Sequence, residues 1–153
     1  LYHNFGDKKG LLWAVVEQID AEMAERLRVV REAAASAWQG LLDEGAAYIE
    51  MALEPEIQRI MLLDGPAVLG DPSRWPGQNA CLDLTTRTVR ALVEDRIVQP
   101  VDAEAAARLL NGAALSAALW IAAADDPPAV LGKAIDAFQK LASGLLRKRG
   151  TAS

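Results

Sequence analysis

The sequence is nearly without histidine and cysteine: His3 and Cys81 are its only ones. A lone thiol excludes an internal disulfide framework and suits a reducing cytoplasm. No His or Cys pair has the spacing of a zinc site. A Ser/His/acid or Cys/His centre would need His3 beside Ser or Cys, and His3 lies at the edge of the chain. The glycines are scattered singly, so no Gly-rich phosphate loop is present. The acidic pair Asp125–Asp126 precedes two prolines and reads as turn chemistry, as does Asp64 before Gly65-Pro66. These absences predict no enzyme, no metal and no cofactor.

Strand signals are also scarce, because the β-branched residues never alternate with polar ones over a run. Positive charge is in deficit: the net charge is −5, whereas a domain that grips nucleic acid along its length is normally basic. The longest apolar run, Gly112 to Ala124, is shorter than the roughly 20 residues a bilayer-crossing helix needs. No signal peptide is visible. The expectation is a cytoplasmic protein with no membrane partner.

What is present favours helix. Hydrophobic residues make up 52% of the 153 residues, mostly Ala and Leu, enough for one domain with a real core. Asp7 reads as the N-cap of a first helix reaching about Ala35, with Leu12, Val15, Val16, Ile19, Met23, Leu27 and Val30 at helical spacing. Ser36 can cap a second helix. Pro55 opens or breaks a third, and Asp64-Gly65-Pro66 reads as its stop. Residues 70–79 form the one long irregular stretch, with Trp75 on it. A fourth helix is expected from about Gln78 to Val98, its buried side including Thr85, Val89, Leu92 and Ile97. Asp102 caps a fifth, Ala103 to Ala124. A sixth follows Asp125–Pro128, with Arg147, Lys148 and Arg149 near its end. The fold class is all-α, about six helices with antiparallel neighbours.

The opening residues carry a pattern. Leu1, Tyr2, Phe5, Lys8 and Leu11 fit L-Y-x-x-F-x-x-K-x-x-L, and no Met precedes them. "LYHNFGDKKGLLWAV" resembles the junction in TetR-family transcriptional repressors where the helix-turn-helix ends and the long helix into the regulatory domain begins. "PEIQRIMLLDGPAVLG" and "AARLLNGAALSAALWIAAADDP" are similar to segments of one C-terminal subgroup of these regulators. They depart from it at Leu115 and Ser116, where Asn and Glu are frequent.

The resemblance implies that residues 1–6 are the C-terminal remnant of a helix-turn-helix DNA-binding domain, mostly absent from this chain. Residues 7–153 would be an effector-binding and dimerisation domain of TetR-repressor type. It assigns DNA-backbone contacts to Tyr2, His3 and Lys8, which offer hydrogen-bond donors or positive charge. It implies a homodimer whose last two helices form a four-helix bundle across a two-fold axis, with Ala113, Ala117, Trp120, Ile121, Phe138, Leu141 and Leu145 at the interface.

The effector pocket would lie among the central helices. Its candidate walls are Leu27, Tyr48, Met61, Trp75, Cys81, Leu84, Leu115 and Leu119, with Thr85, Asn111 and Ser116 as polar points. Taken singly, each also reads as plain core. An apolar cavity with few polar anchors suits a small apolar or aromatic effector. The function expected is a ligand-responsive regulator, in repressor mode, that releases operator DNA when the effector binds. The alternative is a helical ligand-binding or carrier protein without DNA binding.

Overall fold

The computed structural model describes residues 5–148, with side chains from Lys8 onward. Tyr2, His3 and Arg149 lie outside the described residues. Helix α1 (Phe5–Ala33) is already helical two residues before the expected cap. Asp7 therefore sits inside the first turns, and the boundary drawn after residue 6 falls within one continuous helix. The predicted stripe holds: Val16, Ile19, Met23 and Leu27 are buried.

Ser36 starts α2 (Ala37–Met51) as expected. Its backbone is extended, and its hydroxyl oxygen accepts the Gln39 N–H at 3.1 Å.

The next element differs from expectation. Asp64-Gly65-Pro66 does not stop the helix. Residues Ile57–Asp64 are π-helical and run directly into α3 (Gly65–Leu69). The Gly65 N–H bonds to the Ile60 carbonyl five residues back. This wider turn admits Pro66, whose ring an ordinary α-turn would press against a carbonyl four residues back. Gly65 is required there, because a Cβ would collide with the Ile60 carbonyl oxygen. Gly70, at φ +86°, ends the helix.

A short 3-10 turn, Pro72–Arg74, leads into α4 (Pro76–Glu94). That helix stops four residues before the expected Val98. Arg96 adopts φ +60°. Its N–H reaches the Val93 carbonyl at 3.1 Å, and the Ile97 N–H reaches Leu92 at 3.0 Å. The pair of bonds is a Schellman stop with arginine in the place usually held by glycine. Ile97 is consequently exposed rather than on the buried side.

Asp102 caps α5 (Ala103–Ala123), accepting the Ala105 N–H at 2.8 Å. Helix α6 (Pro127–Ser143) follows. It ends before Arg147 and Lys148, so Lys140 is the cation in its last turn. The chain beyond it docks on the turn after α4: Gln99 N–H bonds to Leu145 O and Arg147 N–H to Ile97 O, both at 2.8 Å.

Among the described residues there is no strand, only the isolated Val98–Leu146 bridge. Helix α5 is central and packs on α2, α4, α6 and the π-helical segment, while α1 lies mainly on α2. At 21 residues α5 is long and apolar enough to cross a membrane by length and composition, which the Gly112–Ala124 run did not suggest. Its apolar side, including Ala107, Leu110, Ala114, Ala118 and Ile121, is buried within the domain. The buried side chains form two clusters, one around Ile49, Ala118 and Ile121, the other around Val89, Leu110 and Ala142.

Candidate functional site

Between the two clusters the packing fails to close. A cavity of about 580 Å³ is lined by α1, α2, α4, α5 and α6, with Met23, Leu27, Ala114 and Phe138 from the first cluster and Leu41, Leu42, Leu110 and Ala142 from the second. Protein interiors are normally packed without voids much larger than a water molecule. A space this size is within the range of small-molecule sites.

Of the expected ligand residues, Leu27, Tyr48, Cys81, Leu84, Thr85 and Asn111 line this cavity. Five others do not. Met61, Trp75 and Leu115 surround a separate void of about 20 Å³, room for one water. Ser116 faces solvent, and Leu119 is half-buried against the first cluster. Trp75 is no lid: it is 94% buried, edge-on to Trp13 with ring centroids 5.6 Å apart. The 3-10 turn and Pro76 fold the "irregular" stretch back so that this indole becomes core. Among the described residues its Nε1 has no hydrogen-bond partner.

The walls are more polar than the sequence suggested. Arg31 and Glu44 form an ion pair across α1 and α2 at 2.9 Å. Burial still holds the Glu44 carboxyl above its ordinary value, against the pull of Arg31. Asp20 projects from α1 against the first turn of α4, where a Cβ on Gly77 would collide with its carboxylate. Burial raises the Asp20 carboxyl too.

Burial pushes the Cys81 thiol up, and the charges of Glu44 and Asp20 push it further. The Tyr48 phenol is raised by burial and then by Cys81 and Asp20, with Gln78 opposing. The thiol therefore stays protonated and is a weak nucleophile.

Asn111 has side-chain partners on α4. Its Oδ1 lies 3.2 Å from Thr85 Oγ1, which is also 3.0 Å from the Cys81 carbonyl oxygen. One hydroxyl proton can serve only one of those acceptors, and Asn111 Nδ2 donates one N–H to Cys81 Sγ at 3.7 Å, so the amide keeps part of its capacity for the cavity.

Asp20, Arg31, Glu44 and Gln78 were missed. The signal was their phase: Asp20 is four residues after Val16 and three before Met23, so an acid falls on the apolar stripe of α1. Glu44 stands likewise between Leu41 and Tyr48 on α2, and Arg31 one turn after Leu27.

The outer face of α5 and α6 is the second candidate surface. Trp120 is 50% exposed and Leu141 73%, with Leu109 at 76% on the same stripe of α5. Ala113, Ala117 and Leu145 are half-buried. Ile121 and Phe138 are corrected: both are buried inside the subunit, 0% and 6% exposed, and offer no area to a partner. Phe138 is held inward by Gly45, where any Cβ would strike its ring. Lys8 is exposed on the first turns of α1.

Residues 38–145 match the model of the tetracyclin repressor-like C-terminal domain family. The chain is also similar to the crystal structure of a TetR-family transcriptional regulator from Pectobacterium atrosepticum. The two are 47% identical, the match covers 97% of this chain and 77% of that one, and the TM-score is 0.87. No curated protein matches the chain.

Proposed function

The chain belongs to the TetR family of transcriptional regulators, and from that premise we propose that it is the effector-binding and dimerisation part of a ligand-responsive repressor. Membership brings ligand-responsive transcription regulation and a fold that is generally not enzymatic. The repressor mode, the effector and the residues below are our reading.

The observation that carries it is the cavity of about 580 Å³ with α1 as one wall. The same helix runs back to Phe5, toward the residues that resemble the DNA-binding junction. A ligand touching Asp20, Met23 and Leu27 therefore bears on the element that positions the DNA-reading domain. Effector binding favours one arrangement of α1, the operator favours another, and each ligand weakens the other by the same coupling factor. Lys8, with Tyr2 and His3 before it, contacts the phosphate backbone at that junction.

Two copies pair through the outer faces of α5 and α6. Leu109, Trp120 and Leu141 supply exposed apolar area, and Ala113 and Ala117 let the partner helix approach closely. The two DNA-reading helices then match a two-fold operator.

The test is a gel shift with the full-length regulator on DNA that it selects from a random pool. N-phenyl-1-naphthylamine, a neutral fluorescent apolar compound, is added and its cavity occupancy read from fluorescence. Release of DNA on occupancy is expected. Unchanged DNA affinity with the cavity filled would overturn the coupling. A carrier without DNA binding would select no DNA at all.

A further inference from the structure

We infer that the effector is an amphipathic cation, an aromatic or alkyl body bearing a protonated amine or a similar cationic group, whose charge is received at Asp20. This rests on the cavity being the effector site, and replaces the plainly apolar effector that the sequence suggested.

The charge inventory of the walls carries the inference. The cavity is lined by Glu17, Asp20, Glu25 and Glu44 against Arg28 and Arg31, four acids to two bases and a net charge of −2. Both bases are already engaged. Arg31 holds Glu44 at 2.9 Å, and Arg28 holds Glu25 at 2.6 Å and also Glu32. Glu17 is exposed at the rim. Asp20 is left inside, and among the described residues no ion pair or hydrogen bond reaches it.

Among the described residues no basic side chain stands beside it, and the N-terminus of α4 gives only the partial positive charge of a helix end. Tyr48 and Gln78 border Asp20, Gly77 presses on it, and the nearby Cys81 thiol is pushed toward its neutral form by burial first and then by the charges of Glu44 and Asp20. An anion partly withdrawn from water and without a basic side chain to pair with attracts a cation. Such a cation would replace missing hydration, while Leu27, Leu41, Leu84, Leu110 and Phe138 take the apolar body.

A matched series tests this. 4-phenylbutylamine, 4-phenylbutanol and 4-phenylbutyrate share a body and differ in charge. Each competes with N-phenyl-1-naphthylamine on the native chain, and each is also scored by thermal shift. The amine is expected to displace the probe about tenfold better than the alcohol, with the carboxylate weakest. Asp20→Asn should remove that preference and leave alcohol binding in place, while Asp83→Asn, an exposed acid away from the cavity, should leave the preference intact.

If the alcohol competes as well as the amine, the inference is overturned and the effector-site reading stands. The same holds if the preference survives Asp20→Asn. If neither the fluorescent probe nor any of the three compounds binds, the effector-site reading falls and takes the inference with it. The comparison on the native chain does not depend on the variant folding.

Discussion

An acid held away from water is easier to protonate in the folded chain than in the unfolded one. Asp20 is in that position, its carboxyl raised by burial above its ordinary 3.8. The folded state therefore binds the extra proton. The associated stability is fully present below the unfolded value and is lost as pH rises through the folded one. The N-terminus of α4 offsets part of the loss, but burial sets the sign. Asp20→Asn is expected to raise the melting temperature at about pH 7 and to give no gain near about pH 3, where the carboxyl is protonated in both states. A scan of melting temperature against pH checks this, and an equal gain at both ends would contradict it. Gly45 makes a second residue-scale case. Gly45→Ala has to displace the Phe138 ring, a small-to-large change in a packed site that should cost about 1–3 kcal/mol in urea denaturation. The displaced ring also narrows the cavity, so N-phenyl-1-naphthylamine should bind more weakly.

At the scale of elements, the stops and starts set where the site residues end up. The Schellman turn after α4 places Arg96 at φ +60°, a conformation that costs a side chain-bearing residue about 1 kcal/mol. Arg96→Gly should accordingly stabilise the chain by about 1 kcal/mol, a rise of about 2–4 °C in the melting temperature. Differential scanning calorimetry decides it, and no rise would show that the arginine makes a compensating contact. Ser36 acts in the opposite sense. Its cap fixes where α2 begins and hence the register that brings Glu44 to Arg31. Ser36→Ala should cost about 1 kcal/mol by the same measurement. The π-helical segment shows how an element can defeat a local rule: the widened turn carries the chain through Gly65-Pro66 and delivers Trp75 to the core.

At the scale of the molecule, the arrangement to be tested is the pairing of two copies. Leu141 is exposed and outside both buried clusters, so Leu141→Glu leaves the subunit core intact and places charge in the proposed seam. Sedimentation equilibrium should show the dimer dissociating at least about tenfold more readily. A variant as dimeric as its parent would place the seam elsewhere. Phe138 and Ile121 would be poor choices for this test, because substituting either opens the core before it touches an interface.

The sequence by itself determined the helical class, the family and the local devices: the caps at Ser36 and Asp102, the stripe on α1, and the small-residue face of α5. These are set by neighbours a few positions away, through hydrogen bonds to the next turn and a 3.6-residue period. About half of the expected ligand residues also line the cavity, because they fall on inward faces. Only the tertiary structure decided the rest. Whether an inward Leu or Trp lines a cavity or fills a core depends on which helix lies opposite, and Leu27 and Trp75 look alike until α4 and the turn before it are in place. The partnering of charges is equally non-local. Arg31 is neutralised by Glu44 from another helix, whereas among the described residues no basic side chain from α2, α4 or α5 arrives beside Asp20. Burial and the presence or absence of a counter-charge are properties of the packed chain, and they give this cavity its negative character.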